Sequence, residues 1–392
     1  MRISIFTPTN NPIYLQTAYK QLKDQDFYEW VLLGNGGISI NDFPKELLED
    51  LRIKIIFTEF TGSVGALKKL ACSYCSGDAL IELDHDDYLL PGAIEEVKKA
   101  FEDPEIVFAY SNCFYFMDEQ YWFPPFGPES GWTWKPFMFN GKEYRETKAP
   151  PPHPSNCSTI HYQPDHLRAF RKTAYDAIGG YNENLELLDD QDLMCRLFII
   201  GKFYHIDKCL YAYYVNLKNT FITRQDEIAV GIYNGKKEFL PLMIESWAKR
   251  ENLKTIAISS EKDFSDYDEK FTSEEFLRYD LDRSSTGLIS LFNNFVGIAD
   301  KEKFLRKVYN TLIPGGMFLG IFPNNKEGWN KDSFNFVLDR NEPNVKEMRF
   351  YNCLIDEINI NENTSFVRVA LVALKKDDFG NEIFRPHGKI LI

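Results

Sequence analysis

The sequence predicts an α/β protein of two domains, the first built on a largely parallel sheet with helices on its faces. Three observations predict it. The chain has 392 residues, too many for one average domain and enough for two with separate cores. Its first half alternates short apolar runs with amphipathic stretches, the pattern of strands joined by crossover helices. A long polar helical stretch, 226–250, is followed at Leu253 by a fresh strand pattern. The boundaries that follow are a first domain over 1–222, a helical linker over 223–252 and a smaller α/β domain over 253–392.

Residues 3–8 read as the first strand, 14–24 as a helix, 30–33 as the second strand and 53–58 as the third. A helix follows over 64–74, then a buried strand over 79–83 that runs into Asp84-His85-Asp86-Asp87. Ligands of open α/β sheets gather at the carboxyl ends of the strands, and this acidic cluster falls at such an end. Pro91 opens a further helix, and 106–116 is a strand. The stretch 121–163 is rich in Pro, Trp, Tyr and Gly without a clean period, so it reads as a long loop. Loops of that length are usually functional lids or linkers, and the aromatic content favours a lid. Regular pattern resumes over 166–178, turns at Gly179-Gly180 and continues as a helix over 189–200.

Apolar residues at 44% and charged residues at 26% are ordinary globular composition and argue against long disorder. A net charge of -13 repels a polyanion such as DNA, and no basic patch breaks the trend. The first residues enter a strand pattern with no basic leader, and no run approaches the roughly 20 apolar residues of a spanning helix. The expectation is a soluble, cytoplasmic protein without a transmembrane segment. Seven scattered cysteines suit a reducing compartment, and Cys72 and Cys75 read as small side chains on one helix rather than a zinc or redox pair.

Two acidic clusters carry the chemistry. Carboxylates packed after an apolar strand, as in 84–87, repel one another unless hydrogen bonds or a cation neutralise them. Oxygen ligands suit Mg²⁺ or Mn²⁺, and such an ion stabilises a departing diphosphate. The second cluster, Asp189-Asp190-Gln191-Asp192, opens a helix, where acidic residues also serve as caps and dipole partners. Its chemical role would be that of a general base toward a hydroxyl.

The order of these pieces resembles family 2 of the glycosyltransferases, whose fold is the nucleotide-binding α/β domain called GT-A. The resemblance covers about residues 1–220. It rests on Ile3-Ser4-Ile5-Phe6-Thr7-Pro8-Thr9-Asn10, on Gly65 to Lys69 with Ser76-Gly77-Asp78, on the 83–87 segment with Leu90-Pro91-Gly92-Ala93, and on Ala169 to Lys172, 178–182 and 189–193. It implies an inverting, metal-dependent enzyme that moves a sugar from a nucleotide-diphosphate donor to a carbohydrate or other hydroxyl acceptor. Pro8, Thr9, Asn10, Asn35, Lys68, Asp84, His85 and Asp86 would bind the donor, with Mn²⁺ or Mg²⁺ on Asp86 and Asp84. Asp190 would be the base, with Asp189 and Asp192 as alternatives, and His166 would stand on the acceptor side.

Two departures from the family pattern stand out. Gly34-Asn35-Gly36-Gly37 replaces the usual Asp-Asp-Gly-Ser, and Tyr213-Tyr214-Val215-Asn216 replaces a Tyr-Arg-x-His whose His completes the metal shell. A fold that has lost its donor, leaving a binding protein, is the alternative reading.

In the last third, Asn310 to Phe318 with its Pro314-Gly315-Gly316 turn, after a helix over 301–309 and before a strand ending at Pro323, resembles the later half of a class I methyltransferase. The glycine-rich loop that would cradle S-adenosylmethionine is replaced by Ile256-Ala257-Ile258-Ser259-Ser260-Glu261-Lys262. The expectation is a shortened, non-catalytic relative kept for packing or homo-oligomerisation, with a bifunctional glycosyltransferase/methyltransferase as the alternative.

Overall fold

The computed structural model describes residues 1–60, 62–117, 120–121, 133–158, 166–216, 218–259, 266–292, 301–323, 350–361 and 364–373. The chain forms two compact units that divide between Gly235 and Lys236. The first unit runs β1 (Ile3–Thr9), α1 (Leu15–Leu22), β2 (Glu29–Gly34), α2 (Lys45–Glu49), β3 (Ile53–Phe57), α3 (Val64–Ser73), β4 (Ala79–Glu82), β5 (Tyr88–Leu89), α4 (Ala93–Ala100) and β6 (Ile106–Met117). It continues through β7 (Gln120–Tyr121), β8 (Thr133–Phe139), β9 (Lys142–Lys148), α5 (Pro154–Cys157), β10 (Arg168–Arg171), α6 (Lys172–Ala177), α7 (Asp189–Ile200), β11 (Lys202–Tyr214) and α8 (Thr220–Thr223). Helix α9 (Gln225–Arg250) spans the division.

The main sheet has the order β3-β2-β1-β4-β10-β6-β11-β5, with β7 and β9 also on β6 and β8 on β9. Pairing is parallel through β3, β2, β1 and β4 and between β6 and β11, while β10 lies antiparallel between β4 and β6. The chain steps outward from β1 to β2 and β3, then returns to the other side of β1 as β4. That reversal is a topological switch point, and the crevice it opens lies beyond Thr9 and Glu82.

Alternation along the strands feeds two cores. Ile3, Ile5 and Ile81 pack with Leu15, Ala18 and Leu22 of α1 and with Ile94 and Val97 of α4. Phe6 packs with Phe170 and Tyr181, at ring separations of 6.0 and 6.2 Å. Coverage of both faces is why β1, β2 and β4 read as nearly continuous apolar runs. Trp30 is fully buried, and its indole N–H donates to Thr7 Oγ1 at 2.9 Å, which satisfies that donor in the core.

The stretch 121–163 is not the structureless loop that its composition suggests. It contains the β8–β9 hairpin, which pairs Phe139 with Lys142 across Asn140-Gly141. Both turn residues have positive φ, 50° and 76°, the type I′ geometry that Asn-Gly favours because it matches strand twist. Phe137 and Phe139 pack on Phe114 at 5.7 Å each, and Tyr144 packs on it at 4.4 Å, so the aromatic crowding builds a local core. The parts of the expected lid at 122–132 and 159–165 lie outside the described residues.

Helix α3 is stapled to the segment before α7. Ser63 Oγ donates to Glu183 O at 2.5 Å, and the Gly65 amide donates to Leu185 O at 3.1 Å. A Cβ on Gly65 would stand 2.2 Å from Asn182 O, a backbone atom with no rotamer to swing away. Gly65→Ala is therefore expected to destabilise this unit by about 1–3 kcal/mol, read as a lower urea midpoint with an unchanged slope.

The second unit holds β12 (Thr255–Ile258), β13 (Glu269–Phe271), α10 (Ser273–Arg278), β14 (Thr286–Leu291), α11 (Lys301–Thr311), β15 (Leu312–Pro323), β16 (Phe350–Asn361) and β17 (Thr364–Ala373). Its sheet runs β13-β12-β14-β15-β17-β16. The first four strands are parallel, and β17 is antiparallel to both of its neighbours. Ile256, Ile258, Ile289, Phe304, Phe318 and Val369 lie in its core. Pro314-Gly315-Gly316 is not a turn ahead of a strand as the sequence suggested; it lies inside β15. There Gly315 takes φ 75°, and the pairing with β14 slips between Thr286 and Leu288. A glycine bulge keeps the strand going where an L residue would resist.

Candidate active site

The crevice is built from strand ends upward. Thr9 closes β1, its carbonyl accepting from the Asn35 amide at 2.9 Å and its hydroxyl from the Asn11 amide at 3.1 Å. Gly36 takes φ 71° and passes so close to Asn10 that an added Cβ would stand 3.3 Å from Asn10 Cβ. The ends of β1 and β2 therefore bring Thr9, Asn10 and Asn35 together beside Pro8. His85 stacks on Tyr14, ring to ring 6.4 Å.

Beyond β4 the chain turns through 84–87. Thr7 Oγ1 donates to Leu83 O at 2.7 Å and ties that turn to β1. Asp87 is buried, accepting from the Tyr211 hydroxyl at 2.8 Å and the Tyr214 amide at 2.7 Å. Burial, then the charges of Asp86 and Asp84, hold its carboxyl well above the usual range. Burial also raises Asp84, with Lys68 opposing and Glu82 reinforcing. His166 is buried, stacked on Tyr211 at 4.5 Å and 8° and tilted against Tyr213 at 5.0 Å and 30°. Burial and the nearby Arg168 keep its imidazole neutral, well below the ordinary value. Ligand atoms of Asp84, Asp87 and His166 all lie within 4.8 Å of one another; Asp86 is outside that group.

Beneath the crevice lies a ladder of alternating charges. Lys68 Nζ of α3 pairs with Asp189 Oδ2 at 2.8 Å and with Glu82 Oε1 at 2.9 Å. Arg168 of β10 pairs through one nitrogen with Glu82 Oε1 at 3.2 Å and Asp190 Oδ2 at 2.7 Å, and its other terminal nitrogen faces His166 at 3.2 Å. Tyr181 OH donates to the second Glu82 oxygen at 2.7 Å. Burial pushes the Glu82 carboxyl up, but Arg168 and Lys68 together outweigh it and hold it below the carboxylate range. Asp189 goes the other way, raised by burial to about 6 against the pull of Lys68. Removing one member would leave its partners charged and buried, a cost of about 3–5 kcal/mol.

The three acids of α7 are thus set apart. Asp189 is buried on Lys68, while Asp192 is held by Arg196 one turn along the same helix. Asp190 keeps 19% of its side chain exposed while anchored by Arg168 and by the Gln191 amide, which donates at 2.8 Å. Leu188, ahead of them, takes the left-handed φ of 61°, and this turns the helix start toward Arg168. Lys68, read from the sequence as a diphosphate contact, is buried and engaged by two carboxylates.

Glu82, Arg168, Tyr181 and Tyr211 were not singled out by sequence. A glutamate closing the apolar run Ala79-Leu80-Ile81 was the available signal for Glu82. Cys72 is buried on α3, while Cys75 is buried just past its end at Ser73 and not on the same helix as expected; burial pushes the Cys75 thiol up to about 12, so neither is an exposed thiolate.

The first unit is thus an open α/β fold on a mixed sheet, parallel from β3 to β4 and largely antiparallel beyond, with a carboxylate-lined crevice at its switch point. Residues 4–179, all within the first unit, match the model described as Glycosyl transferase family 2. The chain is 26% identical over 233 residues to a protein named chondroitin synthase from Pasteurella multocida (strain Pm70), covering 57% of this chain and 22% of that protein. It is 26% identical over 231 residues to a hyaluronan synthase of Pasteurella multocida, at 57% and 21%. The chain thus spans about a fifth of the length of these relatives. Among solved structures, S. aureus TarS 1-349 in complex with UDP-GlcNAc aligns with a TM-score of 0.47 at 15% identity, over 64% of this chain and 72% of that one. Among the described residues no helix is long and apolar enough to cross a membrane.

Proposed function

We propose that the first unit is an inverting glycosyltransferase that takes a sugar from a nucleoside-diphosphate donor and passes it to a hydroxyl of a carbohydrate acceptor. The observation that carries this is the line from Asp84, Asp87 and His166 through Arg168 to Asp190, which sets an accessible carboxylate beside an acidic crevice. The relatives' names, both polysaccharide synthases, support a glycan acceptor. Thr9, Asn10 and Asn35 border the donor end, with Pro8 and His85 beside them.

Two carboxylates and a neutral imidazole form a donor set that fits Mn²⁺ or Mg²⁺, and their crowded buried charge is what a cation would relieve. Asp84, Asp87 and His166 would hold it, and His166 would supply the imidazole that Asn216 lacks. Bound there, the ion would neutralise the leaving diphosphate. Asp190 takes the acceptor proton as that oxygen attacks the anomeric carbon from the face opposite the leaving group. Arg168 and the Gln191 amide aim its carboxylate. Turnover of a panel of UDP-, GDP- and dTDP-sugars with Mn²⁺, followed as nucleotide release, tests the reading; no release from any member with glycan oligosaccharides present would overturn it.

For the second unit we propose a methyltransferase-like packing domain without catalysis. Its chain leaves β12 for β13 on one side and returns on the other as β14, which supports a nucleotide-binding ancestry. β12 ends in Ile258-Ser259 with no glycine, so no backbone cradle is evident there; residues 260–265 lie outside the described residues. Calorimetry of the full chain against S-adenosylmethionine is expected to give no saturable heat, and saturable binding would restore the bifunctional reading.

A further inference from the structure

The geometry points to Arg168 and Glu82 as positioning residues for the general base, a role that rests on the reading of Asp190 given above. Five charged groups alternate in sign along one path: Asp189, Lys68, Glu82, Arg168, Asp190. They come from four elements, α7 at both ends and α3, β4 and β10 between. Asp190 is the most exposed member, with 19% of its side chain accessible against 9% or less for the others. The buried members thus form a fixed frame, and the exposed end is the working carboxylate.

Arg168 suits this task through its planar fork. One terminal nitrogen reaches Glu82 and Asp190, and the other faces the ring of His166 at 3.2 Å. A single guanidinium therefore spans from the base to the metal-binding group. Glu82 fixes that guanidinium in turn, and its remaining oxygen is taken by Tyr181 OH at 2.7 Å, so the carboxylate has little freedom to rotate. Lys68 neutralises Glu82 from the far side, which lets a second cation sit there without excess charge. Lysine at 168 would keep the charge and lose the fork. Asp190 could then no longer be aimed and anchored to Glu82 at once.

The test uses full-length protein carrying Arg168→Lys, Glu82→Gln, both together, and Asp190→Asn, each checked for folding by circular dichroism and urea midpoint. Transfer from the donor found in the nucleotide-sugar panel gives kcat and KM, and UDP, GDP and dTDP serve as calorimetric probes. Arg168→Lys is expected to lower kcat on the order of 10- to 100-fold, the scale of a misplaced catalytic group, with donor KM within about twofold. Glu82→Gln should lower kcat less, and the double variant should fall no further than Arg168→Lys, because both act through one guanidinium. Unchanged kcat in folded Arg168→Lys and folded Glu82→Gln, with Asp190→Asn inactive, overturns the positioning role and leaves the base in place. A fully active Asp190→Asn overturns the base assignment itself. Additive losses in the double variant also overturn the shared path. Should Glu82→Gln fail to fold, because Lys68 and Arg168 are left facing a neutral amide, the charge-conserving Arg168→Lys decides the matter by the same split of kcat from KM.

Discussion

Replacing Asp190 with asparagine is expected to slow sugar transfer by a factor on the order of 100 to 10,000, the usual worth of a general base. Asparagine keeps the size of the side chain and one acceptor oxygen for Arg168, while its amide nitrogen takes the place of the oxygen that faces the Gln191 amide, and it cannot take a proton. Asp190 is the second residue of α7 and not its N-cap, and Arg168 keeps Glu82 as a charged partner, so the fold should hold with a lowered urea midpoint. Nucleotide binding should barely move, because Asp190 meets His166 at one remove, through Arg168. Transfer rate and nucleotide affinity measured on both proteins decide it. Full activity would shift the role to Asp189 or Asp192, although the first is buried on Lys68 and the second is clasped by Arg196. Loss of folding without a specific loss of turnover would return the cluster to a capping role.

The second large effect is expected at the acidic turn. Asp84→Asn removes a charged ligand from the Asp84, Asp87 and His166 group without changing its shape. The Mn²⁺-dependent part of nucleoside-diphosphate affinity should fall by more than about 100-fold, beyond the 10- to 100-fold typical of a residue that only supports a ligand. Asp86→Ala separates two assignments. The family pattern puts the ion on Asp86 as well as Asp84, whereas the geometry gathers Asp84 with Asp87 and His166. Calorimetry with and without Mn²⁺ on the two variants is the measurement. An intact metal response in Asp84→Asn and its loss in Asp86→Ala would move the ion to Asp86.

Local pattern was legible and long-range partnership was not. The helix over 189–200 appears at the residues read from the sequence, because an acidic start and a glycine stop bracket it. Strands β1 and β4 were legible because burial on both faces leaves short runs dominated by apolar side chains, broken by the buried Ser4, Thr7, Thr9 and Glu82. The hairpin at Asn140-Gly141 was hidden by the aromatic and proline content around it, although its turn dipeptide is a strong short-range signal. Glu82 and Arg168 could not be paired by reading along the chain: 86 residues separate them, and only the antiparallel insertion of β10 beside β4 brings them together. Lys68 illustrates the same limit. The resemblance implied a contact for the diphosphate, but whether a lysine faces water or two carboxylates depends on what the sheet places opposite.

The contact between Gly65 and Asn182 also bears on how much the segment ahead of α7 can vary. A library that randomises 182–188 would be sorted first by whether each new loop still tolerates a helix backbone pressed against it. Survivors would cluster around loops of unchanged length and path, so this segment offers less room for variation than the strand-end side chains.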